Sequence, residues 1–349
     1  MEKLFKIQQK IVPEIVKKAQ QRYNILRGIY YKQPIGRRAL AKTLKLSERT
    51  IRNDLEFFEK NCFIEISPAG TRITRIGKEF LIELDEYIKE LRDISQLEKR
   101  LKNILGLEKV KLVNGAVPDD NIKAEIGRLA AQLLKQEIKD GDILAVTGGT
   151  TLARVAQEMT YSSERRNITV VPGRGGLGEN VEIQANSIAA QLAKKLGGSY
   201  HLLQIPDNMA EENIYRITKE PAIQKNLQIL KKANILIHGV GTAEDMADRR
   251  GMSKEEITEL LKSGAVSEAF GFYFNARGEI IHSTPSVGLN LDDLRHINKV
   301  IVVAGGENKA EAILAAVSPV YQDILITDEI TAKKIISLKG GEAKERLKI

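Results

Sequence analysis

Gly36-Arg-Arg-Ala-Leu-Ala-Lys-Thr-Leu-Lys-Leu-Ser-Glu-Arg-Thr-Ile-Arg-Asn-Asp-Leu-Glu-Phe-Phe-Glu-Lys60 reads as two short helices joined by a turn. The first is predicted over Gly36–Lys45, the turn at Leu46-Ser47, and the second over Glu48–Lys60. Ser47 suits the cap of the second helix, because its hydroxyl can accept an orphan backbone N–H there. Leu40 and Leu44 on the first helix, and Ile51, Leu55 and Phe58 on the second, recur at threes and fours and so line one face of each. The opposite face of the second helix carries Arg49, Thr50, Arg52 and Asn53, with Arg38 on the first. Those residue types contact phosphates and base edges. The pair is expected to be a helix-turn-helix that reads duplex DNA.

Two further observations separate this from an ordinary amphipathic helix pair. Phe63-Ile-Glu-Ile66 and Arg72-Ile-Thr-Arg-Ile76 flank Ser67-Pro-Ala-Gly70, which is turn chemistry. Phe63–Ile76 is therefore a predicted β-hairpin wing, with Arg72 and Arg75 placed to touch backbone phosphates. Charge is also concentrated here. The first 50 residues hold 13 Lys/Arg and 3 Asp/Glu, leaving 41 basic and 43 acidic residues for the rest of a chain that nets +8. A localised basic excess is the electrostatic footprint of a nucleic-acid binder.

The 349 residues, 42% of them hydrophobic, suffice for two domains with real cores. Cys62 is the single cysteine, which excludes an intramolecular disulfide framework and favours a filler role over a nucleophile's. Met1-Glu-Lys-Leu-Phe-Lys6 lacks the apolar run of a signal peptide, and no segment reaches the roughly 18 apolar residues of a membrane span. A cytoplasmic protein is expected. His201, His238, His282 and His296 are scattered, giving no metal signature; structural roles are expected of them. Only 5% of residues are aromatic and none is Trp, which disfavours a single-strand binder built on stacking.

The winged helix-turn-helix is assigned to residues 1–76. Leu4, Ile7, Ile11 and Ile15 form a narrow apolar stripe, with Pro13 a boundary or kink, and residues 20–32 form the helix that opens the winged domain. Residues 77–105 are highly charged with apolar residues at threes and fours, and read as one linker helix. Residues 106–349 are assigned to an effector domain. There, after a strand-like run at Val110–Asn114, apolar runs at Ile143–Val146, Ile168–Val171, His201–Ile205, Ile235–Ile237, Val300–Val303 and Ile324–Ile326 alternate with helical patterns, and Gly271–Ser283 reads as an inserted hairpin. The fold class is α/β, with a doubly wound parallel sheet covered on both faces.

Four of these strands run into glycine: Thr147-Gly-Gly-Thr-Thr151, Pro172-Gly-Arg-Gly-Gly176, His238-Gly-Val-Gly241 and Ala304-Gly-Gly-Glu-Asn-Lys309. In an open parallel sheet such loops gather at the carboxyl edge, where ligands bind. Helix N-termini and close backbone approach suit an anion. Gly148, Gly149, Thr150 and Thr151 offer amides and hydroxyls; Arg174, Lys309 and either Arg249 or Arg250 offer cations. A phosphorylated ligand is expected. Gly173–Gly178 matches G-x-G-x-x-G, but Ala193, Lys194 and Lys195 stand where a dinucleotide site wants an acid. No P-loop is present, so ATP hydrolysis is unsupported. A sugar-phosphate isomerase with Glu268 as its base is the enzymatic alternative.

A winged helix-turn-helix followed by Val146-Thr-Gly-Gly-Thr-Thr151, Val171-Pro-Gly-Arg-Gly-Gly-Leu-Gly178 and Val303-Ala-Gly-Gly-Glu-Asn-Lys309 resembles the SorC family of bacterial sugar-responsive regulators over the whole chain. The resemblance implies an effector domain like the phosphosugar isomerases and CoA transferases, without their catalysis. It implies a repressor of a glycolytic operon that includes glyceraldehyde-3-phosphate dehydrogenase, released from operator DNA by fructose 1,6-bisphosphate. It implies that Gly149, Thr150, Thr151, Arg174 and Lys309 cradle one phosphate, that Arg250 or its neighbour Arg249 lies near the second, and that Gln184 and Glu268 meet sugar hydroxyls. No cofactor, metal or catalytic residue is implied, and a homodimer or homotetramer is expected on a two-fold operator. Response to a different phosphorylated sugar remains the alternative within the family.

Overall fold

Pro13 is a helix-starting residue, since its missing N–H costs nothing in the first turn. In the computed structural model, which describes residues 11–114, 119–162, 167–176, 180–206, 211–318 and 320–346, it opens α1 (Pro13–Lys32). Leu4 and Ile7 of the apolar stripe lie outside the described residues; Ile11 and Ile15 are exposed. There follow α2 (Arg37–Leu44) and α3 (Glu48–Lys60), then the wing, β1 (Ile64–Ser67) and β2 (Gly70–Ile73), paired antiparallel. Ile35 adds a backbone bridge to Thr71 at the edge of the wing. Leu26, Leu40, Ile51, Leu55, Phe58, Ile64 and Ile73 share one core, so the sequence periodicity marked the packed face.

The stretch 77–105 departs from expectation. It is two helices, α4 (Arg75–Leu91) and α5 (Ile94–Leu105), broken at Asp93, whose φ of 54° no helix accommodates. The Thr74 hydroxyl accepts the Gly77 N–H and starts α4 inside the predicted wing. Leu81, Ile88 and Leu91 of α4 belong to the winged core, and Phe80 stacks on Phe63 at 4.3 Å. α4 is thus part of that core rather than a linker. The chain divides into two units, one running to Leu97 and taking in Asn114, the other made of Glu98–Val113 and everything from Ile122 on.

The second unit is built on β3 (Lys109–Val113), α6 (Asp119–Glu137), β4 (Ile143–Val146), α7 (Thr150–Glu158), β5 (Thr169–Pro172), α8 (Ala185–Leu196) and β6 (Ser199–Tyr200). It continues through α9 (Glu211–Ile217), α10 (Pro221–Leu230), β7 (Ile235–His238), β8 (Gly241–Thr242), α11 (Ala243–Arg249) and α12 (Lys254–Lys262). Then come β9 (Ala265–Ala269), β10 (Phe272–Asn275), β11 (Ile280–Ser283), α13 (Leu291–Leu294), β12 (Lys299–Val303), α14 (Ala310–Ala316), β13 (Ile324–Asp328) and α15 (Glu329–Arg346). Seven strands form a parallel sheet in the order β3-β13-β12-β7-β4-β5-β6. The chain moves outward from β4 through β5 to β6, then returns to β7 on the other side of β4. The strand order therefore reverses between β4 and β7, and a crevice opens at that point at the carboxyl edge.

Two local readings change. The expected hairpin is one half of a four-stranded antiparallel sheet, β11-β10-β9-β8, inserted between β7 and β12. The expected strand His201–Ile205 does not form: β6 stops at Tyr200. The Asn186 side chain instead takes both the N–H and the carbonyl of Leu203, and the Asn226 side chain donates to the Leu202 carbonyl. Side-chain amides occupy the backbone groups that a sheet ladder would need.

Candidate ligand cavity and nucleic-acid face

A cavity of about 260 Å³ lies at the switch point of the sheet, near the lower end of the size range for small-ligand sites. All nine residues singled out from the sequence line it: Gly148, Gly149, Thr150, Thr151, Arg174, Gln184, Arg250, Glu268 and Lys309. Gly149 precedes α7 with φ 132° and donates its N–H to the Ile183 carbonyl at 2.8 Å. That conformation needs glycine. It leaves α7 without a side-chain cap, so the free amides of its first turn open onto the cavity beside Thr150 and Thr151.

Arg174 is buried. Its Nη2 donates to the Thr284 carbonyl at 3.1 Å, and its backbone bridges Gly288. The guanidinium lies flat over Gly271, where a Cβ would fall 2.1 Å from Nη1. Gly271 is therefore a seat for Arg174. Gln184 stands at the start of α8 on the cavity lip.

Arg250 and Glu268 meet each other in the cavity wall. They form a buried ion pair, Nη2 to Oε1 at 2.8 Å, and Oε1 also accepts the Gly271 N–H. Arg250 thus holds Glu268 in place while itself lining the cavity. Tyr273 stands opposite Glu268 in the β9–β10 register; burial, with the nearby carboxylate, pushes its phenol up to about 12 and keeps it protonated. Arg249, one residue away, is the exposed cation of the two.

Lys309 reaches the cavity from the loop after β12 and donates to the Val240 carbonyl at 3.3 Å. Burial holds its ammonium below the ordinary lysine range, and repulsion from Lys123 and Arg249 lowers it further, against an opposing pull from Asp245. Lys123, in the second turn of α6, went unread in the sequence because no glycine loop flags it. Beneath the cavity wall, His238 is wholly buried with its ring 4.5 Å from Phe270. Burial lowers its pKa to about 4.

In the first unit, Arg49, Arg52 and Asn53 point outward along α3. Ser47 accepts the Thr50 N–H at 3.1 Å, and the two hydroxyls lie 2.8 Å apart, so Ser47 and Thr50 are occupied in starting the helix. Arg38 is exposed, 3.7 Å from Glu48, and Arg72 is exposed on β2. Arg75 falls on the first turn of α4 rather than on the wing, 3.8 Å from Glu79. The helix itself is moored by buried Asp54, which sequence reading passed over. Lys18 lies 2.7 Å from it, Arg22 lies 3.1 Å away, and Gln21 donates to it at 2.5 Å.

A winged helix-turn-helix beside an α/β domain with a cation-lined cavity defines a sugar-responsive transcriptional regulator, and comparison with known proteins agrees. Residues 19–88 match the family model described as "CggR N-terminal DNA binding domain", and residues 89–337 match "Putative sugar-binding domain". The central glycolytic genes regulator of Priestia megaterium is 41% identical over 96% of this chain and 99% of its own. That of Bacillus subtilis is 40% identical over the same shares. A solved structure described as a "putative SorC family transcriptional regulator" from Enterococcus faecalis superposes with a TM-score of 0.64 at 37% identity, over 69% of this chain and 99% of the other. The chain belongs to the SorC family of transcriptional regulators.

Proposed function

We propose that this regulator represses a glycolytic operon, glyceraldehyde-3-phosphate dehydrogenase among its genes, and leaves its operator when fructose 1,6-bisphosphate fills the cavity. Its site of action is then the bacterial cytoplasm, and two or four copies meet a two-fold operator. The observation that carries the reading is that Lys309, Arg174 and Arg249 line one cavity with the uncapped first turn of α7. Burial and two neighbouring cations weaken the charged form of Lys309 in the absence of an anion. A bound phosphate offsets that cost, because an opposite charge favours the ammonium.

One phosphate is held by the first turn of α7, through Gly149, Thr150 and Thr151, together with Arg174 and Lys309. The second is held by Arg249, in place of Arg250. Gln184 and the second oxygen of Glu268 accept sugar hydroxyls. The isomerase alternative assigns its base to Glu268. That carboxylate already holds a guanidinium and a backbone amide, which suits fixing a side chain better than moving a proton.

The test is anisotropy of duplex DNA from the region upstream of the chain's own gene, titrated with sugar phosphates one at a time. Fructose 1,6-bisphosphate should release the DNA, and fructose 6-phosphate should require far more. Arg174→Ala and Arg249→Ala should each raise the releasing concentration about ten- to hundredfold, the worth of a charge-assisted hydrogen bond, without weakening DNA binding. Equal response to the mono- and bisphosphate, or none, refutes this assignment. Turnover of any sugar phosphate that is lost in Glu268→Ala would favour the isomerase.

A further inference from the structure

Asp328 ends β13 and is buried, and its two oxygens serve different elements. Oδ1 accepts the Thr331 N–H at 2.9 Å and so caps the first turn of α15. Oδ2 accepts the Gly306 N–H at 2.7 Å and the Thr331 hydroxyl at 2.6 Å. The Thr331 Oγ1 shares the same Gly306 N–H at 3.0 Å. A Cβ on Gly305 would fall 2.6 Å from Oδ2 and 2.3 Å from the Ile126 side chain. The Gly305-Gly306 pair therefore admits a carboxylate of the same chain and the flank of α6. Neither glycine lines the cavity, but Lys309, three residues on, does. Between them Gly306 caps a single 3₁₀ turn, and its carbonyl accepts the Lys309 N–H at 2.9 Å.

We propose that Asp328 and Thr331 are positioning residues for the ligand cavity: their buried clamp on Gly306 fixes the loop and seats the Lys309 ammonium against the Val240 carbonyl. Four hydrogen bonds join two amides, one hydroxyl and one carboxylate, and Asp328 and Thr331 are buried, where such bonds are strongest. With the clamp intact, Lys309 meets a ligand without having to be ordered first. Without it, the 3₁₀ turn loses its anchor and the ammonium returns to water. The consequence for effector affinity rests on the proposed function; the seating of Lys309 does not.

Two near-isosteric changes separate these effects. Asp328→Asn keeps a cap acceptor for α15 but can set an amide donor against the Gly306 N–H. Thr331→Val removes only the hydroxyl, and Thr331→Ser restores it. The primary readout is the pH midpoint for acetylation of Lys309 by acetic anhydride, followed by mass spectrometry. In wild type the midpoint is expected below that of ordinary lysines. It should rise toward the ordinary lysine range in Asp328→Asn and Thr331→Val and return in Thr331→Ser. An unchanged midpoint in the folded valine variant overturns the proposal, whether or not Asp328→Asn folds. The second readout is DNA release, where about tenfold more fructose 1,6-bisphosphate should be needed, with operator affinity unchanged. Should wild type itself ignore sugar phosphates, the proposed function falls, while the acetylation midpoint still decides the clamp.

Discussion

His238 ends β7 with its ring wholly buried, Nδ1 at 3.0 Å from the Gly239 carbonyl and Nε2 without a hydrogen-bond partner among the described residues. Its pKa falls from 6.5 to about 4 because burial disfavours the imidazolium. As pH drops through 6.5, the unfolded chain takes up a proton that the folded chain refuses until about pH 4. The folded state therefore loses stability across that window, by about 2 kcal/mol between pH 7 and pH 5. Urea unfolding of wild type and His238→Gln at both pH values checks this: the variant should lack that share of the acid dependence, and parallel pH profiles would contradict it. Other residue-scale features differ in how far the sequence shows them. The phosphate-suited glycines, threonines and Arg174 were legible because strand-then-glycine is a local pattern. The difference between Arg249 and Arg250 was not, since adjacent helical residues point about 100° apart and the pairing of Arg250 with Glu268 on β9 leaves no mark in the local sequence.

α3 was legible from Glu48 to Lys60 because its cap, its apolar period and its polar face all agree. Its mooring was not, because Asp54 finds its partners 32 to 36 residues away on α1. Arg22 also lies over the Phe57 ring, 3.4 Å from its centre. Removing the Asp54 carboxylate leaves those cations unpaired beside the core. Lys18 and Arg22 keep 44% and 31% of their exposure, so water screens part of the loss, which should come to about 1–3 kcal/mol. Asp54→Ala should lower the melting temperature and operator affinity together, whereas Arg52→Ala should lower affinity alone. An Asp54→Ala protein with unchanged melting and DNA binding would mean that α1 does not seat α3. The same reasoning explains the misread stretch 77–105. Its apolar residues recur on a helical period through both α4 and α5, and nothing in that period marks the single left-handed residue, Asp93, that divides them.

At the scale of the whole molecule, the basic excess of the first 50 residues is smaller in effect than its count suggests, because Asp54 takes up Lys18 and Arg22. Arg38, Arg49, Arg52 and Arg72 remain exposed, and DNA affinity should fall steeply with salt. Regulation requires that the effector bind the free and the operator-bound protein unequally; equal binding shifts nothing, however tight it is. Linkage then fixes a number that neither site shows alone. If fructose 1,6-bisphosphate weakens operator binding by some factor, operator DNA must weaken fructose 1,6-bisphosphate binding by the same factor, about 5- to 150-fold for ordinary allosteric coupling. Calorimetric titration of the sugar into free and operator-saturated protein, set beside anisotropy titration of the DNA with and without sugar, measures both factors at one salt concentration. Lys309→Gln should weaken sugar binding to both forms and leave operator affinity without sugar unchanged, because the residue belongs to the second unit and not to the DNA-binding one. Equal sugar affinity for free and operator-bound wild type would show that cavity occupancy does not drive release from DNA.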